Sequence, residues 1–173
     1  MGYDVAIQRL EQSTVLDLKG PETGIRDWIH DSRLAFPEAH NTASTSASTE
    51  LYWVGPTHWQ LRAPIEVETR WLKRLGPGGV PEELSIVLIS DTLAFFRVSG
   101  PDASEILAIA SPLDTHPSAF PSTGAAYTEA FGVKTLVVRR HDGFELAVDR
   151  SYADMTADCL GRARSPGGEG VRI

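Results

Sequence analysis

Apolar positions along the chain change period where glycine and proline interrupt them, and the changes mark out elements. In "TVLDLKGPETGIRDWIH" (14–30), Val15, Leu16 and Leu18 predict a strand and Gly20-Pro21 ends it; Ile25, Trp28 and Ile29 then recur at helical spacing. A proline at the first helical position forfeits no hydrogen bond, and Glu22 suits the positive helix end. "AFFRVSGPDASEILAIA" (94–110) repeats the arrangement 80 residues on, with Phe95, Phe96 and Val98 before Gly100-Pro101. Asp102 stands where Glu22 stood, and Ala103, Ile106, Leu107 and Ala110 supply the apolar helical face.

A second correspondence lies at an offset of 85 residues. "LYWVGPTHWQLRA" (51–63) predicts two strands about a turn at Gly55-Pro56, and "LVVRRHDGFELAV" (136–148) predicts two about Asp142-Gly143, a strong hairpin signal. Trp59 then matches Phe144, and Leu61 matches Leu146. A helical pattern follows each hairpin, carried by Val67, Trp71 and Leu75 in one and by Tyr152, Met155, Cys159 and Leu160 in the other. "LSIVLIS" (84–90) predicts a buried strand closing the first copy, with no counterpart evident in the second.

The fold class is therefore α+β: a duplicated split β-α-β (ferredoxin-like) arrangement with antiparallel sheets. We expect a single duplicated domain over 1–161, with halves of about 1–90 and 91–161. The tail "RARSPGGEGVRI" (162–173) is rich in Gly and Pro, and "NTASTSASTE" (41–50) predicts a flexible loop.

Composition narrows the function classes. A net charge of −7 argues against non-specific binding to nucleic acid or an anionic membrane. One cysteine, Cys159, excludes an internal disulfide and a multi-cysteine zinc site. No apolar run reaches the roughly 18–20 residues that cross a bilayer. "MGYDVAIQRLEQ" carries charges where a signal peptide is apolar, and Ala6 stands where myristoylation wants Ser or Thr. These features predict a soluble cytoplasmic protein.

The catalytic motifs are missing. "GPGGVP" (76–81) lacks the Lys-Ser/Thr of a phosphate loop, and no G-x-S-x-G elbow occurs. His30, His40, His58, His116 and His141 make no pair at metal-ligand spacing. Asp114 and His116 could form an acid–base pair, but the alternative is that Asp114 caps a turn while His116 makes a structural bond. They sit in "SPLDTHPSAFP" (111–121), whose three prolines stiffen it. Such a segment suits a docking surface, with Leu113 and Phe120 as apolar anchors and Asp114, His116 and Pro117 beside them. Phe120 packed into the chain's own core is the competing possibility.

"ISDTLAFFRVSGPDASEILAIASPLDTHPSAFPSTGAAYTEAF" and "LVVRRHDGFELAVDRSYADMTADCL" together resemble the gamma subunit of heterotetrameric sarcosine oxidase. The matching positions are Ser90-Asp91, Arg97, Ser99-Gly100-Pro101, Pro112-Leu113-Asp114, His116-Pro117, Ala119-Phe120-Pro121, Arg150-Ser151 and Ala153-Asp154. "LYWVGPTHWQL" resembles that family's "WLGPDEWLL" hairpin. Ser111 replaces a usual cysteine, Thr115 replaces a leucine, residues 125–128 replace Ala-Gln-Thr, and Tyr152 and Met155 alter the last helix.

The resemblance implies a fold similar to the folate-binding domain of the glycine-cleavage aminomethyltransferase. It implies a non-catalytic companion of the alpha, beta and delta subunits, alpha most directly, in a complex that demethylates sarcosine or a related N-methyl amino acid. FAD, FMN, NAD, tetrahydrofolate and zinc would then lie in the partner subunits and none in this chain. The alternative is a free-standing folate-binding or aminomethyltransferase-like enzyme, for which Asp91 and Glu50 are the nearest candidate bases.

Overall fold

Leu16 and Leu18 are fully buried on one face of their strand, and Ile25, Trp28 and Ile29 of the following helix pack on that face. The second copy does the same with Phe96 and Val98 against Ile106 and Leu107. The computed structural model that shows this describes residues 2–30 and 33–165. In chain order the elements are β1 (Ala6–Arg9), β2 (Ser13–Lys19), α1 (Glu22–Ile29), β3 (Ala43–Ser46), β4 (Thr49–Gly55), β5 (His58–Pro64), α2 (Glu68–Arg74) and β6 (Ser85–Leu88). There follow β7 (Leu93–Ser99), α3 (Ala103–Ala110), β8 (Ala125–Ala130), β9 (Val133–Arg140), β10 (Gly143–Asp149) and α4 (Ala153–Arg164).

Two compact units result, one from Gln12 to Asp91, the other from Thr92 onward joined by the residues up to Glu11. Each has a five-stranded sheet, in the orders β3-β4-β5-β2-β6 and β8-β9-β10-β7-β1, with every pairing antiparallel. The α+β class and the antiparallel sheets are as the sequence predicts.

Register shows that the duplication is structural. Leu18, Asp17 and Leu16 face Trp59, Gln60 and Leu61 across one strand pair. Val98, Arg97 and Phe96 face Phe144, Glu145 and Leu146 across the other. Those are the partners that offsets of 80 and 85 require. The match slips by one residue in β4, where the register shifts between Trp53 and Gly55. Leu51 therefore corresponds to Val137, which faces Leu146, and not to Leu136.

Four expectations need correction. The first eleven residues do not belong to the first half, because β1 pairs with β7 and supplies the closing strand of the second copy. The stretch 41–50 holds β3 and the start of β4, since Ala43–Ser46 can add to the sheet edge along Thr49–Tyr52. In α4 the core face is Ala153, Thr156, Leu160, Gly161 and Ala163, while Tyr152 is 46% and Met155 40% exposed. Arg162–Arg164 is the last turn of α4 and not tail; residues 166–173 lie outside the described residues.

The β7–α3 connection depends on Gly100. Its φ of 126° suits glycine alone, and a Cβ there would stand 2.6 Å from the Asp4 carbonyl oxygen. Asp102 Oδ2 accepts the Asp4 amide at 2.8 Å, so this turn also fastens the segment leading to β1. Gly100→Ala is expected to cost about 1–3 kcal/mol, read as a lower midpoint in thermal unfolding. Gly132→Ala is the control: φ is also positive, at 79°, but nothing lies within 4 Å of the new methyl group.

Candidate functional site

α3 ends where Ser111 takes an extended conformation, its amide donating to Leu107 O at 2.8 Å and its Oγ accepting Leu113 N at 3.2 Å. The chain then enters the proline-bounded loop. Asp114 Oδ1 accepts the His116 amide at 2.9 Å, closing a turn of the kind that aspartate side chains form with the backbone two residues on. The His116 carbonyl accepts the amides of Ala119 and Phe120, both at 2.9 Å. His116 Nδ1 accepts the Ser118 amide at 3.3 Å and lies 2.7 Å from Ser118 Oγ. Accepting through Nδ1 places the proton of the neutral ring on Nε2.

The two candidate chemical residues thus do not form a pair. Asp114 spends its carboxylate on backbone, and the His116 ring bonds to Ser118. Among the described residues no group of three or more His, Cys, Asp or Glu side chains could hold a metal. Asp114, His116 and Pro117 are exposed, and Leu113 is half-buried against the core of its unit.

Phe120 differs from the anchor expected at a docking surface. It is 2% exposed and belongs to the hydrophobic core of its own unit. Gly124 makes room for it: a Cβ there would lie 2.7–2.9 Å from the Phe120 ring atoms. The Arg139 guanidinium lies 5.6 Å from the Phe120 centroid and 4.9 Å from that of Phe144, and donates to the Thr115 carbonyl. Burial pushes the Arg139 pKa down, yet arginine remains charged at any ordinary pH. Sequence reasoning missed this residue. The available signal was alternation in β9, which puts Arg139 on the same face as Val137 and so toward the core.

Arg139 also lines an open groove of about 450 Å³ beside the β9–β10 turn, along with Gly100, Ser104, Arg140, His141 and Asp142. Charges near it are largely matched. Arg97 bonds to Glu145 at 2.9 Å and also to Asp142, and Arg140 bonds to Glu145 at 2.8 Å. The Arg97 bond holds the Asp142 carboxyl below its usual range.

The candidate bases of the enzyme alternative each have a side-chain partner. Asp91 accepts from Gln12 Nε2 at 2.7 Å. Glu50 accepts the Tyr52 hydroxyl and lies 3.8 Å from an Arg62 guanidinium nitrogen. A third carboxylate, Asp17, meets His58 Nε2 at 2.6 Å, Gln60 Nε2 at 3.2 Å and Lys19 Nζ at 3.3 Å. Burial pushes its pKa up, but the bonds from His58 and Gln60 and the charges of His58 and Lys19 outweigh that and hold it below the ordinary value. Among the described residues no helix is long and apolar enough to cross a membrane.

Comparison with known proteins gives three results. The model of the family described as "Sarcosine oxidase, gamma subunit family" matches residues 29–164. The heterotetrameric sarcosine oxidase from Corynebacterium sp. U-96, solved with pyrrole 2-carboxylate, includes a chain of similar fold. The TM-score is 0.81 at 22% identity, over 98% of this chain and 88% of that one. Aminomethyltransferase T of the glycine cleavage system from Bartonella henselae shares the fold with a TM-score of 0.66 at 14% identity. There 91% of this chain covers 45% of the other, so this chain spans less than half of that enzyme's length. No curated protein sequence matches.

Proposed function

The chain belongs to the sarcosine oxidase gamma subunit family, and from that we propose that it is a non-catalytic subunit of an oxidase complex. The complex demethylates sarcosine or a related N-methyl amino acid and passes the one-carbon unit to tetrahydrofolate. Flavins, NAD, folate and zinc belong to the alpha, beta and delta partners, and this chain contributes a binding surface, chiefly to alpha.

The observation that carries this reading is the family match across 29–164. Asp91 accepts from Gln12, and Glu50 accepts from Tyr52 beside Arg62. The exposed part of the proline loop, Asp114 to Pro117, is fixed from within by its own turn and from below by Arg139. A surface held in one conformation loses little entropy on binding.

Sizing after gentle purification from the native cell tests the reading. The expected result is a particle far larger than 18.8 kDa that carries flavin absorbance. A lone monomer, or tight folate binding by this chain alone, overturns it. His116→Ala in the assembled complex is expected to leave turnover unchanged, because the ring bonds to Ser118 within the loop. An intact complex without turnover would make His116 catalytic.

A further inference from the structure

The β3–β4 turn, β5 and α2 enclose a cavity of about 60 Å³, whose wall includes Ser48, Thr49, Leu61, Val67, Arg70 and Trp71. Trp71 is 5% exposed, and its indole N–H finds no acceptor among the described residues. A buried N–H left without an acceptor is costly. The indoles of Trp28 and Trp53 show the usual solution, donating to the carbonyls of Gly79 at 2.8 Å and Gly55 at 2.7 Å. Trp59 also lacks an acceptor but does not line this cavity.

The rest of the lining points the same way. The Arg70 guanidinium lies 5.6 Å from the Trp71 ring centroid and has no carboxylate partner among the described residues. Ser48 and Thr49 bring hydroxyl groups, and among the described residues no acidic side chain lines the space. The polar lining is therefore rich in donors and carries one positive charge, while Leu61 and Val67 offer apolar wall. Its volume is well under the roughly 150 Å³ that admits benzene, which limits an occupant to about four non-hydrogen atoms.

We propose that this cavity binds a small monocarboxylate, its oxygens accepting from the Trp71 indole and the Arg70 guanidinium and its alkyl group lying on Leu61 and Val67. The site is independent of the docking surface. It would be tested on the full chain by following the indole N–H signals of the four tryptophans by NMR during titration with acetate. Chloride at matched ionic strength and neutral acetamide are the controls.

One signal, assigned to Trp71 by its absence from Trp71→Phe, is expected to shift and saturate with acetate alone. Arg70→Gln, at an exposed position, is expected to weaken the apparent affinity about tenfold or more. A response that never saturates, one that chloride or acetamide reproduces, or an Arg70→Gln affinity equal to wild type overturns the proposal. Should Trp71→Phe fail to fold, crystals of the wild-type chain soaked in acetate decide the matter. An anion between Arg70 and Trp71 supports the site, and ordered water alone refutes it.

Discussion

Phe120→Ala is expected to lower the unfolding free energy of the isolated chain by about 3–5 kcal/mol, the range for truncating a buried aromatic ring. Urea unfolding followed by fluorescence would read it as a lower midpoint at unchanged slope. The size of the effect follows from the packing. The ring is 2% exposed, Gly124 lies against its face, and Arg139 spans it and Phe144. A domain with a total stability of about 5–15 kcal/mol would lose a large part of it. The proline loop would lose its internal fixing point at the same time, so weaker association with a partner is expected as a consequence of lost stability. The opposite pattern, full stability with impaired association, would show that the ring is presented to the partner after all.

What the sequence made legible, and what it hid, follows from how many neighbours an element has. The central strands β2, β5, β7, β9 and β10 alternate or run apolar because both edges pair and one face carries a core. Their apolar patterns were readable, and the repeat offsets of 80 and 85 agree with the observed registers. The strands that escaped, β1, β3 and β8, are all sheet edges. An edge strand pairs on one side only and is often short and polar, which discourages pairing with other chains. "ASTS" in β3 has no apolar period at all. The closing strand of the second copy, for which the sequence shows no evident counterpart, comes from the start of the chain, a long-range pairing that no local pattern announces.

The loop was half legible. Asp114 and His116 are two residues apart, and the aspartate turn needs only that spacing. The burial of Phe120 depends on Gly124 and Arg139, the second of which is 19 residues away in another element, so three nearby prolines gave the misleading impression of an exposed ring.

Glu145→Ala is expected to cost about 3 kcal/mol, and Gln60→Ala at the equivalent position only about 1 kcal/mol. Glu145 is 7% exposed on the sheet face away from the helices and accepts from Arg97 at 2.9 Å and Arg140 at 2.8 Å. Removing it takes a carboxylate from two partly buried guanidinium groups, of which Arg97 still has Asp142. Breaking a buried ion pair from one side is costly because the remaining charge keeps its desolvation and loses its partner. Gln60 faces Asp17 in the same register, and Asp17 retains His58 and Lys19 when the amide is gone. The two copies therefore supply an internal control, with the same strand pair and the same position but a different charge. Chemical unfolding of both variants, together with the Glu145→Ala/Arg97→Ala double variant, separates the contributions. If charge carries the cost, the double variant recovers part of the loss. If the two single variants lose equal stability and the double variant recovers nothing, packing at that register position carries the cost instead.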